Sequence, residues 1–320
     1  MAPVEIVQTK HMNKNTLLIF ILGFVFIGIS YFRGVEIFKN NTQTKPGTEK
    51  LQVVASFYPL YYFASQIAGD KADVTNITPA GAEPHDYEPS TQDIGRIEKS
   101  SILIINGGQL EAWGDKIKED LQSKNIEVVT ATEGLVTQEF EEEELIKDPH
   151  VWLDPVLAKK EVEKIAQAFI KVDPVNKTFY ESNEINLENK LGSLDKSFKE
   201  GLRDCQQKNI VTSHAAFRYI ASRYGLIQIS ISGLSPDQEP SPKQLAEVTR
   251  FARTNNVKYI FFETLISPKL SETIAKEIGA KTLVFNPLEG LTKDDEAVGK
   301  DYLSVQQENL ASLRVALECK

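Results

Sequence analysis

The sequence predicts an α/β protein of two lobes, each a parallel four-stranded sheet flanked by helices, joined by one long backbone helix. Three observations predict it. Short apolar runs alternate with helical segments from Leu51 onward, the pattern of a parallel sheet with helices on its faces. The alternation is interrupted once, by a stretch from Asp173-Pro174 to about Asp204 with few helix breakers, and then resumes with the same grammar. At 1.5 Å per residue, roughly thirty helical residues span about 45 Å, longer than one small lobe needs.

In the first lobe, LQVVASF from Leu51 reads as a strand, and Pro59 to Ala68 as a helix closed by Gly69. Ala72 to Thr78 alternates as a strand and stops at Pro79-Ala80-Gly81. Ser90 or Thr91 caps a helix running to Lys99. Ser101 to Asn106 (SILIIN) is a buried strand ended by Gly107-Gly108. Glu111 to Gln122 reads as a helix, Ile126 to Thr130 as a strand, and Pro155 to Val172 as a helix. Asp173 suits an N-cap, with Pro174 at the first position of the long helix.

The second lobe opens with a strand, Asn209 to Ser213, and a helix from His214 to Arg223 ended near Gly225. Leu226 to Ser230 follows as a strand. Ser241-Pro242-Lys243-Gln244 is a capping box with proline at N1, opening a helix to about Asn255. Lys258 to Glu263 (KYIFFE) is a strand, Pro268 to Ile278 a helix closed by Gly279, and Thr282 to Phe285 a strand. Tyr302 to Leu317 is the last helix. The expected organisation is a leader and linker over 1–50, lobes over 51–173 and 205–320, and a linking helix over 174–204.

The leader stands apart from the fold. Lys10 and Lys14 precede an apolar run, Thr16 to Phe32, which reads as an export signal or an uncleaved membrane anchor. No cysteine lies near the run, which argues against a lipid-anchored form. Asn40 to Lys50 is a polar linker. Composition bounds the function as well. The 320 residues carry 36 Lys and Arg against 45 Asp and Glu, for a net charge of -9. With no basic stripe, nucleic acid is not an expected partner. The two cysteines, Cys205 and Cys319, form no CxxC, which excludes a Cys-rich zinc finger and leaves histidine and carboxylate as metal ligands. The acidic run Glu139 to Glu144 reads as a solvated loop, with a weak cation-gathering loop as the alternative.

The chain has four histidines. His11 lies in the leader. His85, His150 and His214 each sit in a loop or turn after a strand, where ligands bind in parallel α/β sheets. Prolines bracket two of them, in Glu83-Pro84-His85-Asp86-Tyr87-Glu88-Pro89 and Asp148-Pro149-His150-Val151-Trp152-Leu153-Asp154-Pro155. Proline restricts the backbone and lowers the entropy of holding a ligand in place. Asp86 and Asp148 are candidates to take the second ring N–H. The corresponding strand end of the second lobe leads into Asn286-Pro287-Leu288-Glu289-Gly290, so Glu289 is the expected fourth ligand. Three imidazoles and one carboxylate suit Zn²⁺ better than Mn²⁺; Cu²⁺ competes by intrinsic affinity. The expected site lies in the cleft between the lobes.

The segments VVASFYPLYYFASQIAGD, PAGAEPHDYEP, NGGQLEAW, DPHVWLDP, VTSHAAFRYIASRYGL, GLSPDQEPSPKQL and NPLEGLT occur in that order from Leu51 to Cys319. In them the chain resembles the metal-binding solute receptors of ABC importers, the zinc/manganese cluster typified by ZnuA, AdcA and TroA. The resemblance implies two α/β lobes joined by a rigid helix. It carries the metal ligands onto His85, His150, His214 and Glu289. Manganese-type members usually have a carboxylate where this chain has His214, so the resemblance points to the zinc subgroup. It implies a monomeric, extracytoplasmic receptor, periplasmic or tethered to the outer face of the membrane, that delivers Zn²⁺ to a membrane permease. It also implies a disulfide between Cys205 and Cys319, pinning the last helix to the start of the second lobe; two buried thiols are the alternative.

Two other classes are open. A zinc enzyme needs an open coordination position and a base. Glu289 would close the site, and the chain lacks HExxH and GxSxG; Glu263 and Asp237 are the bases in principle. A surface adhesin would need an exposed apolar or aromatic patch beyond the cleft.

Overall fold

The computed structural model describes residues 50–135 and 147–320. The expected export signal or anchor, His11 and the acidic run 139–144 lie outside the described residues. The first sheet is built from β1 (Leu51–Ala55), β2 (Ala72–Asn76), β3 (Ile102–Ile105) and β4 (Glu127–Thr130), with α1 (Tyr58–Ala68), α2 (Thr91–Ile97) and α3 (Gly114–Gln122) between them. Its order is β2-β1-β3-β4, parallel throughout. A single 3-10 turn (Val151–Leu153), α4 (Pro155–Val172), a second 3-10 turn (Pro174–Asn176) and α5 (Lys177–Gly201) follow.

The second sheet takes β5 (Asn209–Thr212), β6 (Ile227–Ser230), β7 (Tyr259–Phe262) and β8 (Lys281–Val284) in the order β6-β5-β7-β8, again parallel. Between them run α6 (Arg218–Tyr224), α7 (Pro242–Thr254) and α8 (Lys269–Ile278); α9 (Lys293–Ala297) and α10 (Tyr302–Ala316) close the chain. In both sheets the order reverses beside the first strand, which opens a crevice at the carboxyl ends. Among the described residues no helix is long and apolar enough to cross a membrane.

Burial explains the layering. Strand β3, Ile-Leu-Ile-Ile, is buried along its whole length, as a strand covered on both faces should be. Helix α5 buries one stripe, Tyr180, Leu187, Leu191, Leu194 and Phe198, and packs on α1, α4 and α10. One apolar cluster thus runs from Val53 and Ile104 of the first sheet through Trp152, Leu191 and Phe198 to Ile210 and Phe285 of the second. Smaller clusters cover the opposite faces, around Leu103 and Trp113 in one sheet and Val211 and Ile260 in the other. Cys205 and Cys319 are joined by a disulfide that ties the end of the α5 region to the end of α10.

Four local expectations are corrected. Helix α6 begins at Arg218, not at His214, because the N–H groups of His214 and Ala215 are engaged by Glu263 and by the carbonyl of Gly233. Helix α3 begins at Gly114, not at Glu111. The Glu111 carboxylate accepts from the N–H groups of Asn106 and Gly107 and from the Ser56 hydroxyl, which holds it in the preceding turn. Asp173 caps no helix with its side chain; it accepts from Asn176 and the Tyr180 hydroxyl, and the long helix opens on a 3-10 turn. Helix α9, with a Thr292–Asp295 capping box, had not been expected.

Candidate metal centre

Three strand ends and one further loop aim at one point. His85 lies in the loop between β2 and α2, and His150 just ahead of the 3-10 turn at Val151. His214 follows β5, and Glu289 lies in the loop after β8. One ligand-capable atom from each falls within 4.8 Å of all the others. The Nε2 atoms of His85 and His150 are 3.3 Å apart, and those of His150 and His214 3.4 Å. Glu289 Oε1 sits 3.3 Å from His85 Nε2, 3.3 Å from His150 Nε2 and 3.2 Å from His214 Nε2. Five of the six donor–donor distances are therefore 3.2 to 3.4 Å, and the sixth, between His85 and His214, is within 4.8 Å, so a small inward shift of one ring completes a tetrahedron. The centre of a tetrahedron with edges of about 3.3 Å lies about 2.0 Å from each corner, the bond length of Zn²⁺ to imidazole nitrogen or carboxylate oxygen.

Neighbouring carboxylates fix how the rings point. Asp148 Oδ1 accepts from the backbone N–H of His150 at 3.0 Å and sits 2.8 Å from its Nδ1. Glu263 Oε1 does the same for His214, at 3.2 Å and 2.7 Å. With Nδ1 donating outward, each Nε2 presents its lone pair to the centre. Glu263, by sequence a base in principle, is instead the hydrogen-bond partner of His214. Its signal in the sequence was its place at the carboxyl end of the KYIFFE strand. The expectation for Asp148 is met. Asp86 is exposed and makes no bond to His85, so that expectation fails. Asp237 is exposed and outside the group.

Lone pairs converging on a buried carboxylate need a cation or protons between them. Burial disfavours a charged His214, yet the Glu263 and Glu289 carboxylates outweigh it and hold the ring well above the usual histidine range. Burial likewise opposes His150, but Asp148 and Glu289 raise it. His85, which has no such carboxylate on its other nitrogen, is lowered by burial. Burial would raise Glu289, and the three rings hold it well below the usual carboxylate range instead. Glu289 Oε2 is buried without a hydrogen-bond partner, as are Asp148 Oδ2 and Glu83 Oε2 beside the histidines. A divalent ion would neutralise the Glu289 charge and replace the protons.

The frame around the site is stiff. Asn106 Nδ2 donates to the Pro149 carbonyl at 3.0 Å, steadying the segment that carries His150. Gly107 makes this turn possible: its φ is +80°, and a Cβ there would lie 2.5 Å from Thr130 Cγ2. The Trp152 ring packs 5.2 Å from that of His150, and its Nε1 donates across to the Pro287 carbonyl at 2.8 Å. Tyr219 donates to the Asp148 carbonyl at 3.0 Å, Gly81 N–H to the Leu291 carbonyl at 2.9 Å, and Arg223 pairs with Asp154. These bonds tie the loops of the first sheet to those of the second. Leu288, beside Glu289, is buried with a φ of 58°, a strained conformation held by its surroundings.

Comparison with known proteins agrees with this frame. Residues 53–316 match the family model described as zinc-uptake complex component A, periplasmic. The high-affinity zinc uptake system protein ZnuA of Bacillus subtilis is 40% identical over 296 residues, covering 88% of this chain and 93% of that protein. The zinc-binding lipoprotein AdcA of Streptococcus pneumoniae is 42% identical over 282 residues, covering 84% of this chain; the match spans 56% of AdcA's length. The crystal structure of the Zn(II)-bound ZnuA-like domain of that AdcA superposes with a TM-score of 0.74 at 42% identity, covering 84% of this chain and 99% of the domain. A laminin-binding adhesin, Lmb, from Streptococcus agalactiae superposes with a TM-score of 0.78 at 36% identity, covering 83% of this chain and 99% of its own. With a model match over most of its length and a relative matched nearly end to end, the chain belongs to the ZnuA family of zinc-uptake components.

Proposed function

We propose that the chain captures Zn²⁺ outside the cytoplasm with His85, His150, His214 and Glu289, and delivers it to the membrane permease of an ABC importer. The observation that carries the reading is the convergence of three imidazole nitrogens and one carboxylate oxygen on one buried point, spaced 3.2 to 3.4 Å along the five distances given above. Imidazole nitrogen favours Zn²⁺ over Mn²⁺, which prefers oxygen-rich and higher-coordinate sites. Relatives named for zinc uptake and zinc binding support the same choice. The lobes are residues 51–173 and 205–320, with 174–204 joining them. The receptor acts as a monomer, exported by its apolar leader or tethered by it.

The chain is read as a receptor and not as a hydrolase. Glu289 occupies the position that a catalytic site leaves for water, and Glu263 spends its Oε1 on His214. For an adhesin the support is structural likeness to streptococcal laminin-binding proteins alone. Equilibrium titration of the purified chain with Zn²⁺ against a competing chelator tests the proposal. One ion per chain is expected, with affinity lost in His214→Ala and a preference moved toward Mn²⁺ in His214→Asp. Unchanged affinity in both variants would remove His214 from the ligand set.

A further inference from the structure

Helix α10 buries polar side chains where a packed helix ordinarily buries an apolar stripe. Tyr302, Gln306 and Asn309 lie on one of its faces by helical spacing, and none is more than 1% exposed. Buried polar groups need partners. Here the partners are backbone groups of two loops that carry metal donors. Just past His150, the Tyr302 hydroxyl donates to the Trp152 carbonyl at 2.5 Å and Gln306 Nε2 to the Leu153 carbonyl at 3.2 Å. Just ahead of Glu289, Asn309 takes both backbone groups of Asn286. Its Oδ1 accepts from the Asn286 N–H at 2.8 Å, and its Nδ2 donates to the Asn286 carbonyl at 2.7 Å.

The two loops are also joined to each other, by Trp152 Nε1 donating to the Pro287 carbonyl at 2.8 Å. A closed circuit results: Tyr302 to Trp152, Trp152 to Pro287, Asn286 to Asn309, and back along about two turns of α10. The Asn286 side chain extends it toward the site. Its Oδ1 accepts from the Leu288 N–H at 2.8 Å, and Leu288 holds its φ of 58° directly before Glu289.

We propose that α10 is the strut that presets the spacing of His150 and Glu289, with Tyr302 and Asn309 as positioning residues at its two ends. Neither residue touches the ion. Every bond of the circuit joins protein groups, so the 3.3 Å between His150 Nε2 and Glu289 Oε1 is held without help from a metal. Binding then spends little on ordering the Glu289 loop. This rests on the four-donor zinc reading.

Chelator-competition titration of the full chain with Zn²⁺ tests the strut, with Asn309→Leu and Tyr302→Phe cutting it at either end. Each variant should bind Zn²⁺ about 3- to 30-fold more weakly, the range over which residues away from a ligand modulate its binding. Because both cut one circuit, the double variant should lose less than the product of the two single losses. In Asn309→Leu the visible Co²⁺ bands should shift as the Glu289 oxygen leaves its place. Melting of the metal-free proteins separates these effects from a general loss of stability. Tyr302→Phe removes a single hydroxyl and decides the matter by itself if Asn309→Leu does not fold.

Wild-type Zn²⁺ affinity in either folded variant would overturn the proposal, and a lowered melting temperature beside it would leave the polar face a packing role only. Single losses that multiply in the double variant would overturn it as well, since separate bonds make no strut. If the wild type itself gives no tetrahedral Co²⁺ spectrum, the four-donor reading fails and not the assignment of α10.

Discussion

Replacing Glu263 by Gln asks how much of the metal affinity comes from a residue that never touches the ion. Glu263 is 3% exposed and gives one oxygen to both the backbone N–H and the Nδ1 of His214, at 3.2 and 2.7 Å. The substitution keeps the size and one acceptor but removes the charge that makes the ring a better donor. Loss of such a partner typically costs about 10- to 100-fold in metal affinity, or about 1.4 to 2.7 kcal/mol. The pH dependence is specific. Glu263 also raises the proton affinity of His214, so in the wild type protons compete harder for Nε2. The affinity gap should therefore be widest in mild alkali and narrow as pH falls through the histidine range. Chelator-competition titrations between pH 6 and about 8.5 give the readout, with apo-protein melting as the control for folding. An affinity equal to wild type at every pH, or a gap that widens on acidification, would refute the role assigned to Glu263.

Three further outcomes follow from the same structure. Wild-type affinity for Zn²⁺ should decline on acidification, starting above the ordinary histidine range because carboxylates raise His150 and His214; a flat profile in titrations from pH 7.5 to about 5 would contradict the histidine site. Glu161 is buried with both carboxylate oxygens unpartnered, and burial pushes its carboxyl from 4.5 up to about 8. The unfolded chain releases this proton at lower pH than the folded one, so the group costs stability as pH rises from 4.5 toward 8. Glu161→Gln should gain on the wild type by up to about 1.4 kcal/mol per pH unit in that window; denaturant melts showing a constant difference would exclude it. Replacing Cys205 and Cys319 by serine opens a loop with a sequence separation of 114 residues. It should cost about 2 to 5 kcal/mol in denaturant unfolding, and an unchanged midpoint would show that the disulfide adds no stability.

The parts of this molecule legible in its sequence are those with local causes. The strand and helix alternation was readable because each strand is a short apolar run and each turn carries its own Gly, Pro or capping residue. The Ser241–Gln244 box is an example, with Ser241 Oγ accepting from Gln244 N–H at 3.2 Å. The histidines were readable because His85 and His214 follow strands and His85 and His150 stand between prolines. Glu263 was not assigned to His214, because that pairing depends on β5 lying beside β7, where Val211 opposes Ile260. No spacing along the chain encodes that register. The start of α6 was misplaced for the same reason: what holds His214 and Ala215 out of a helix comes from Glu263 and Gly233, on other segments. Glu83 was visible in the GAEPHDYEP segment, but its unpartnered oxygen exists only in the fold.

The most direct test of the central claim is a crystal structure of the Zn²⁺-loaded chain with diffraction recorded on both sides of the zinc absorption edge. The account predicts one strong anomalous peak between the sheets, about 2.0 Å from the Nε2 atoms of His85, His150 and His214 and from a carboxylate oxygen of Glu289. A peak elsewhere, or a zinc that holds water where Glu289 should be, would contradict it.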